Sequence, residues 1–382
     1  MKHLIVSRFL IIATVAAFGC LTGRLSGAYD LPAGGLFVSA HAESAYTSNV
    51  FLTADEEADV VIRVLPSLEY LLAEGVIHFE ARAGVEFVRF IDWSRFDAEN
   101  FKSDFLLSFP HEDRGTRYFF RLNGGFNEVT SAAAVDGALL QEDRFGVGGN
   151  LEYYVSDRGS LRLGADYLDR NARTDGFASR RITTVSFGPA HEYSERLSLM
   201  ASLRYRNTDI SGVTPALDSD DYAVIAGAEG RLLARLVGEV QAGVQRREFD
   251  GDFDSQTEPY AFAGVTWEAD EMTDVILSLT NDMQTSASNL SGRTLFVTLE
   301  GVRRIREKLR VNLGAGFEDS TYVQASGNSR NDDEWSVFFG ADYTFNRHVS
   351  MGWDVSYADR NSNFAASNYD VVRTAISVDA RF

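Results

Sequence analysis

Near the C-terminus the chain alternates strictly. Val372, Thr374, Ile376, Val378, Ala380 and Phe382 share one face, while Arg373, Ala375, Ser377, Asp379 and Arg381 share the other. Only an extended strand, whose side chains point alternately to opposite sides, keeps two such sets apart. The two preceding segments repeat the pattern. Val349, Met351, Trp353, Val355 and Tyr357 oppose Ser350, Gly352, Asp354 and Ser356; Trp335, Val337, Phe339, Ala341 and Tyr343 oppose Ser336, Phe338, Gly340, Asp342 and Thr344. The same period appears at Leu309–Glu318, Leu197–Arg206 and Ile77–Phe87, so it pervades the chain.

The punctuation between these segments falls into two alternating classes. Short turns are predicted at Ala73–Gly75, His111–Gly115, Ser156–Gly159, Ser194–Arg196, Leu233–Arg235, Ala269–Thr273, Arg306–Lys308 and Asn346–His348. Longer polar loops are predicted between them, at Thr47–Ala58, Asp92–Asp97, Val129–Leu140, Asn171–Ser179, Thr208–Ser219, Asp250–Gln256, Ser286–Ser291, Tyr322–Asp333 and Asn361–Tyr369. Nine looped hairpins joined by eight short turns give about eighteen strands of roughly 10–14 residues, with both termini on the short-turn side. That is the arrangement of a bacterial outer-membrane barrel, whose short turns are periplasmic and whose longer loops are extracellular. The expected fold class is therefore all-β: one transmembrane antiparallel up-and-down β-barrel of about 16–18 strands, occupying residues 36–382. A soluble sandwich would also need a dry and a wet face, but it leaves the alternation of turn lengths unexplained.

The N-terminus changes the picture of where the chain goes. Lys2, His3 and Arg8 precede an apolar run from Phe9 to Phe18 and then small residues ending at Ser26-Gly27-Ala28, the layout of a secretory signal peptide over residues 1–28. A short segment, residues 29–35, would precede the barrel. Cys20 is the single cysteine; it falls in the signal, so a mature chain has neither a disulfide nor a thiolate metal ligand to stabilise it. The formal charge is −19, and removing Lys2, Arg8 and Arg24 takes it to −22, which argues against nucleic acid as a partner. A mean hydropathy of −0.15 is no obstacle to membrane residence, because a barrel wall averages a lipid-facing and a water-facing set.

The ending Val378-Asp379-Ala380-Arg381-Phe382 resembles the C-terminal signature of outer-membrane proteins. At the other end, Ala45-Tyr46-Thr47-Ser48-Asn49-Val50-Phe51, an acidic loop, and Val60–Tyr70 containing Pro66 resemble the first hairpin of the β-barrel porins often encoded beside exopolysaccharide genes in Gram-negative bacteria. The resemblance covers the layout of the whole chain, with Thr47-Ser48 where an acidic pair is more typical. It implies residence in the outer membrane of a Gram-negative bacterium, contact with outer-membrane lipid and lipopolysaccharide, and recognition of Phe382 by the barrel-assembly machinery. It also implies passage of polar solutes or of exopolysaccharide.

Candidate chemistry is confined to the water-facing set. The mature histidines His41, His78, His111, His191 and His348 sit in no nucleophile or metal motif, so no enzyme activity and no cofactor is expected. Asp250-Gly251-Asp252-Phe253-Asp254 opens like a calcium loop but lacks its glycine and terminal glutamate. The candidates for the lumen lining are Arg82, Glu86, Arg121, Arg162, Asp166, Arg204, Arg206, Arg310, Glu318, Asp342 and Asp354, whose facing charges would pair across strands or filter polar solutes. Phe119, Tyr154, Phe262, Phe296 and Phe338 share that face and could stack on sugars. No loop exceeds about 13 residues, so neither a folded plug nor a long constriction loop is expected. The loop carboxylates, among them Asp218, Asp220, Asp221, Asp332, Asp333 and Glu334, predict a weak cation preference at low salt. The rival class is a non-conducting structural or adhesive barrel.

The terminal strand generates a first test. Deleting Phe382 should lower the amount of folded barrel in the membrane far more than it lowers the thermal stability of barrel already inserted; normal insertion of the truncated chain would count against an assembly signal there.

Overall fold

The computed structural model describes residues 29–31, 34–72, 76–110, 116–133, 135, 137–251, 253–323 and 329–382. The signal-peptide reading of residues 1–28 and the predicted turns at 73–75 and 111–115 lie outside the described residues. The strands are β1 (Tyr29–Leu31), β2 (Gly34–Thr47), β3 (Asp59–Leu72), β4 (His78–Phe90), β5 (Ala98–Phe109), β6 (Tyr118–Ala133), β7 (Ala138–Tyr154), β8 (Gly159–Ala172), β9 (Ser179–Ser194) and β10 (Leu197–Ser211). They continue with β11 (Ser219–Leu233), β12 (Leu236–Phe249), β13 (Gln256–Asp270), β14 (Thr273–Thr285), β15 (Ser291–Arg306), β16 (Leu309–Val323), β17 (Ser329–Asn346), β18 (Val349–Ser362) and β19 (Tyr369–Arg381).

From β2 onward each strand pairs antiparallel with the next, and β19 returns to β2 through a register running from Arg373↔Thr47 to Arg381↔Ser39. The ring therefore closes on eighteen strands, β2 to β19, and β1 is a three-residue flap paired with the start of β2 (Tyr29↔Leu36). Closure satisfies the backbone of both end strands, the condition for a sheet that has no water to hydrogen-bond its edges. Phe382 completes the seam. Its N–H donates to the Val38 carbonyl and its carbonyl accepts from the Val38 N–H, both at 2.9 Å, while its ring stacks on His348 at 5.2 Å.

One face of this wall is apolar and open. Leu203, Val224 and Leu313 are 61%, 65% and 65% exposed, a degree that makes sense against lipid rather than water. Aromatic pairs mark both edges of the apolar belt, Tyr205–Tyr222 at 5.4 Å and Trp335–Tyr357 at 5.2 Å toward one end, Tyr343–Phe345 at 5.0 Å toward the other.

The eighteen barrel strands, β2 to β19, run 12 to 18 residues, longer than the turn spacing predicts, and the long connections are correspondingly shorter. Where a loop is predicted at Val129–Leu140, β6 and β7 leave only 134–137; where one is predicted at Thr208–Ser219, only 212–218 remain; at Tyr322–Asp333, only 324–328. The physical reason is that polar residues such as Asp221, Arg330 and Asp332 belong to inward-facing ladders rather than to solvated loops. Their composition imitates a loop signal.

The connections are also packed rather than splayed. Val50, Phe51, Trp93, Phe96 and Leu139 form one apolar cluster above the barrel, with Phe51 edge-on to Trp93 at 4.9 Å. Ala178, Ile210, Val213, Leu217 and Phe253 form a second. The 286–290 connection joins this second cluster: Ala178 N–H donates to the Ala287 carbonyl (2.7 Å), Leu217 N–H to Asn289 Oδ1 (3.2 Å), and Asn289 Nδ2 to the Pro215 carbonyl (2.8 Å). Asn289 holds a φ of +57°, a left-handed conformation that asparagine tolerates better than most residues.

Orientation follows from this arrangement and can be checked in a chain whose only native cysteine lies at position 20. A cysteine replacing Glu56, exposed in the 48–58 connection, should react with a membrane-impermeant maleimide on intact cells. One replacing Ala234, in the turn between β11 and β12, should react only after the outer membrane is breached; the reverse pattern would invert the barrel.

Candidate functional site: the lumen wall and its outer mouth

Residues opposite one another in an antiparallel pair lie on the same face, so the registers sort every strand into an outward and an inward set. Contacts between non-adjacent strands identify the concave side. Arg162 on β8 reaches Glu229 on β11, Arg204 on β10 reaches Asp282 on β14 (2.9 Å), and Arg360 on β18 reaches Glu318 on β16 (2.8 Å). All eleven lumen candidates stand on that inward set: Arg82, Glu86, Arg121, Arg162, Asp166, Arg204, Arg206, Arg310, Glu318, Asp342 and Asp354. The aromatics Phe119, Tyr154, Phe262, Phe296 and Phe338 do as well. Phe338 lies flat on the wall, which requires Gly314 beneath it, since a Cβ there would meet the ring at 2.3 Å.

The inward charges form separate lattices. Near the short-turn end Glu69 accepts from Arg381 (2.8 Å) and faces Arg82 (3.6 Å), and Arg162 is held between Glu152 (3.0 Å) and Glu229; nearer the loop end of β4 and β5, Glu86 meets Lys102 (2.9 Å). Higher on β10 to β14, Arg247 makes a two-pronged pair with Asp221 (2.6 and 2.7 Å), which also accepts from Arg206 (2.7 Å); Arg206 and Arg204 share Asp282. Arg204 additionally lies over the Tyr260 ring at 4.7 Å. On the opposite wall Arg360 is held by Glu318, Asp332 (3.2 Å) and Glu334 (2.9 Å). Asp221 and Asp332, assigned to solvated loops on sequence grounds, are thus 1% exposed at the side chain and committed to arginines. Asp220 and Asp333, their neighbours, point outward. The weak cation preference drawn from these residues as mouth charges loses part of its basis. Asp252 of the calcium-like run lies outside the described residues.

The mouth is narrower than loop lengths imply. Arg330 Nη1 on β17 donates to the Val135 carbonyl (2.8 Å) in the connection between β6 and β7, although six strands separate β17 from β6 along the shorter arc. Arg180 Nη1 on β9 donates to the Thr285 carbonyl (2.9 Å) at the top of β14. These contacts leave a cavity of about 230 Å³ lined by Val135, Leu140, Glu142, Arg144, Arg170, Arg180, Gln284, Glu318, Tyr322 and Arg360. The mouth is thus bridged by arginine-to-backbone contacts without a long constriction loop.

Sequence reasoning missed Arg144, Arg170, Arg180 and Glu142, which stand one to four residues inside the predicted ends of β7, β8 and β9. The available signal was the continuation of the alternation, through Arg144, Gly146 and Gly148 on one strand and Arg180, Ile182 and Thr184 on another.

With this geometry in view, residues 199–382 match the family described as "Putative beta-barrel porin 2". Over that stretch, somewhat under half of its length, the chain is similar to this porin family. No curated protein matches it in sequence. Among solved structures, the outer membrane protein OpdK from Pseudomonas aeruginosa is similar over 91% of this chain and 99% of its own, with a TM-score of 0.52 at 11% identity. OccK2 (OpdF) of the same organism covers 93% and 99% with a TM-score of 0.51 at 12% identity. Identities this low establish the fold alone: a closed eighteen-strand antiparallel β-barrel.

The charge lattices generate a stability test. Asp221→Asn leaves Arg247 and Arg206 short of a buried counter-charge, which costs about 3–5 kcal/mol. The folded, fast-migrating form on unheated gels should be lost at a clearly lower temperature. Glu248→Gln, in the half-exposed pair with Arg246 (3.0 Å), should move that temperature little, since exposed pairs contribute about 0–1 kcal/mol. Equal effects would deny the buried lattice its structural role.

Proposed function

We propose that this barrel is an outer-membrane channel for passive passage of small polar solutes in a Gram-negative bacterium. The observation that carries the reading is the division of the wall: a closed ring whose outer face is apolar and whose inner face is lined by arginine and carboxylate lattices. Eighteen strands enclose more space than their own inward side chains fill, so such a ring holds water. Water beside fixed charges of both signs admits polar solutes and rejects apolar ones.

Passage of exopolysaccharide has weaker support. The inward aromatics suit sugar rings, but a polymer would have to displace the Arg330–Val135 and Arg180–Thr285 contacts across the mouth. The same contacts favour, as a second reading, a barrel held closed and used for structure or adhesion. Outer-membrane lipid and lipopolysaccharide would surround the apolar belt, and the Phe382 strand would engage the assembly machinery.

Purified folded barrel in planar bilayers separates the readings. Stepwise conductance that scales with bulk electrolyte is the result expected of the channel; folded protein that inserts yet stays silent would overturn it in favour of the closed barrel.

A further inference from the structure

Three arginines of the outer constriction stand in one row. Arg144 on β7 is directly opposite Arg170 on β8, and Arg170 is directly opposite Arg180 on β9, all on the inward face. Facing residues in such pairs have Cβ atoms about 4.5–5.5 Å apart, and like charges placed there repel. Glu142 offsets part of this, accepting from Arg144 with one oxygen and from Arg180 with the other (3.2 Å). It is fully committed by doing so. Arg170 has no carboxylate partner among the described residues, and its Nε is buried without a hydrogen bond.

Among the described residues, the neighbouring inward positions supply Arg170 with no further carboxylate. The next inward row is Gly146, Leu168 and Ile182, with no charge at all, and the residue opposite Glu142 is Ala172. Across the cavity Glu318 is engaged by Arg360. Among the described residues, the row therefore sets three guanidinium charges around the one carboxylate of Glu142, beside the cavity at the outer mouth. A buried or half-buried charge left uncompensated is costly, and the planar fork of arginine matches the two oxygens of a carboxylate or phosphate.

We propose that this row is a binding site for the oxyanion of a small permeating solute, a carboxylate or a phosphate, with Arg170 as its main contact and Arg144 and Arg180 flanking. The proposal rests on the channel reading for its physiological meaning, but the site itself is measurable without conductance. It also reverses the selectivity expected from loop carboxylates, because a fixed positive charge at the constriction acts where ions must lose most of their water.

The test is calorimetric titration of the folded, detergent-solubilised barrel with succinate and, separately, inorganic phosphate at low salt. Wild-type protein should bind at least one of them, and Arg170→Gln should weaken that binding about tenfold or more, the loss of one charge-assisted contact. Arg170→Lys, which keeps the charge without the fork, should fall between. Binding of succinate alone names the carboxylate, of phosphate alone the phosphate. No binding of either by wild type, or equal binding by Arg170→Gln of confirmed gel mobility, overturns the site. In bilayers the wild-type reversal potential should show anion preference at low salt that Arg170→Gln diminishes; cation preference in a conducting wild type also overturns the proposal. A silent barrel that binds succinate through Arg170 would instead overturn the channel reading and leave the site standing.

Discussion

A backbone amide or carbonyl left without a partner in hydrocarbon costs several kcal/mol, so a sheet that crosses a bilayer can have no free edge. The structure depends on meeting that condition at one place, the seam between β19 and β2. Nine register pairs from Arg373↔Thr47 to Arg381↔Ser39, extended by the reciprocal Phe382–Val38 hydrogen bonds, convert a meander into a ring. Everything distinctive about the molecule follows from closure. It assigns one face to lipid and one to water, and it lets side chains on non-adjacent strands meet across the concave side.

Those concave contacts give the barrel its shape at the mouth. A charge taken from water is tolerated when another charge and further hydrogen bonds satisfy it. The pairs Arg247–Asp221 and Arg360–Asp332 meet that condition with distances of 2.6 and 3.2 Å, and they tie β11 to β12 and β17 to β18 on the inward face near the level where the connections begin. The 286–290 connection then packs on the tops of neighbouring hairpins, and Arg330 reaches across to the connection between β6 and β7. The outer mouth is narrowed by short connections held in place by buried charge rather than by one long loop. The row of Arg144, Arg170 and Arg180 faces that narrowing.

Much of this is legible in the sequence because a barrel strand writes its two environments on alternate residues. Trp335, Val337 and Phe339 against Ser336, Phe338 and Gly340 give strand, direction and face without any tertiary information, and the alternation of short and long punctuation gives the strand count and topology. What is not legible is register. Arg144, Arg170 and Arg180 become neighbours only when β7, β8 and β9 are set against one another, and a slip of one residue would send each to the other face. The same limit explains the misassignment of Asp221 and Asp332. Runs such as Asp218–Asp221 have the composition of a loop, and only the partner strand, which brings Arg247 opposite Asp221, distinguishes a ladder from a solvated tip.

The central claim is that the barrel encloses a hydrated lumen whose narrowest point lies at the outer mouth. Single-channel conductance with polyethylene glycols of graded size, added to one side at a time in oriented insertions, tests it directly. The account predicts asymmetry: polymers of intermediate size should enter from the short-turn side and lower the conductance, while the same polymers added at the side of the long connections should be excluded and leave it unchanged. Equal access from both sides, or exclusion from the short-turn side instead, would contradict it.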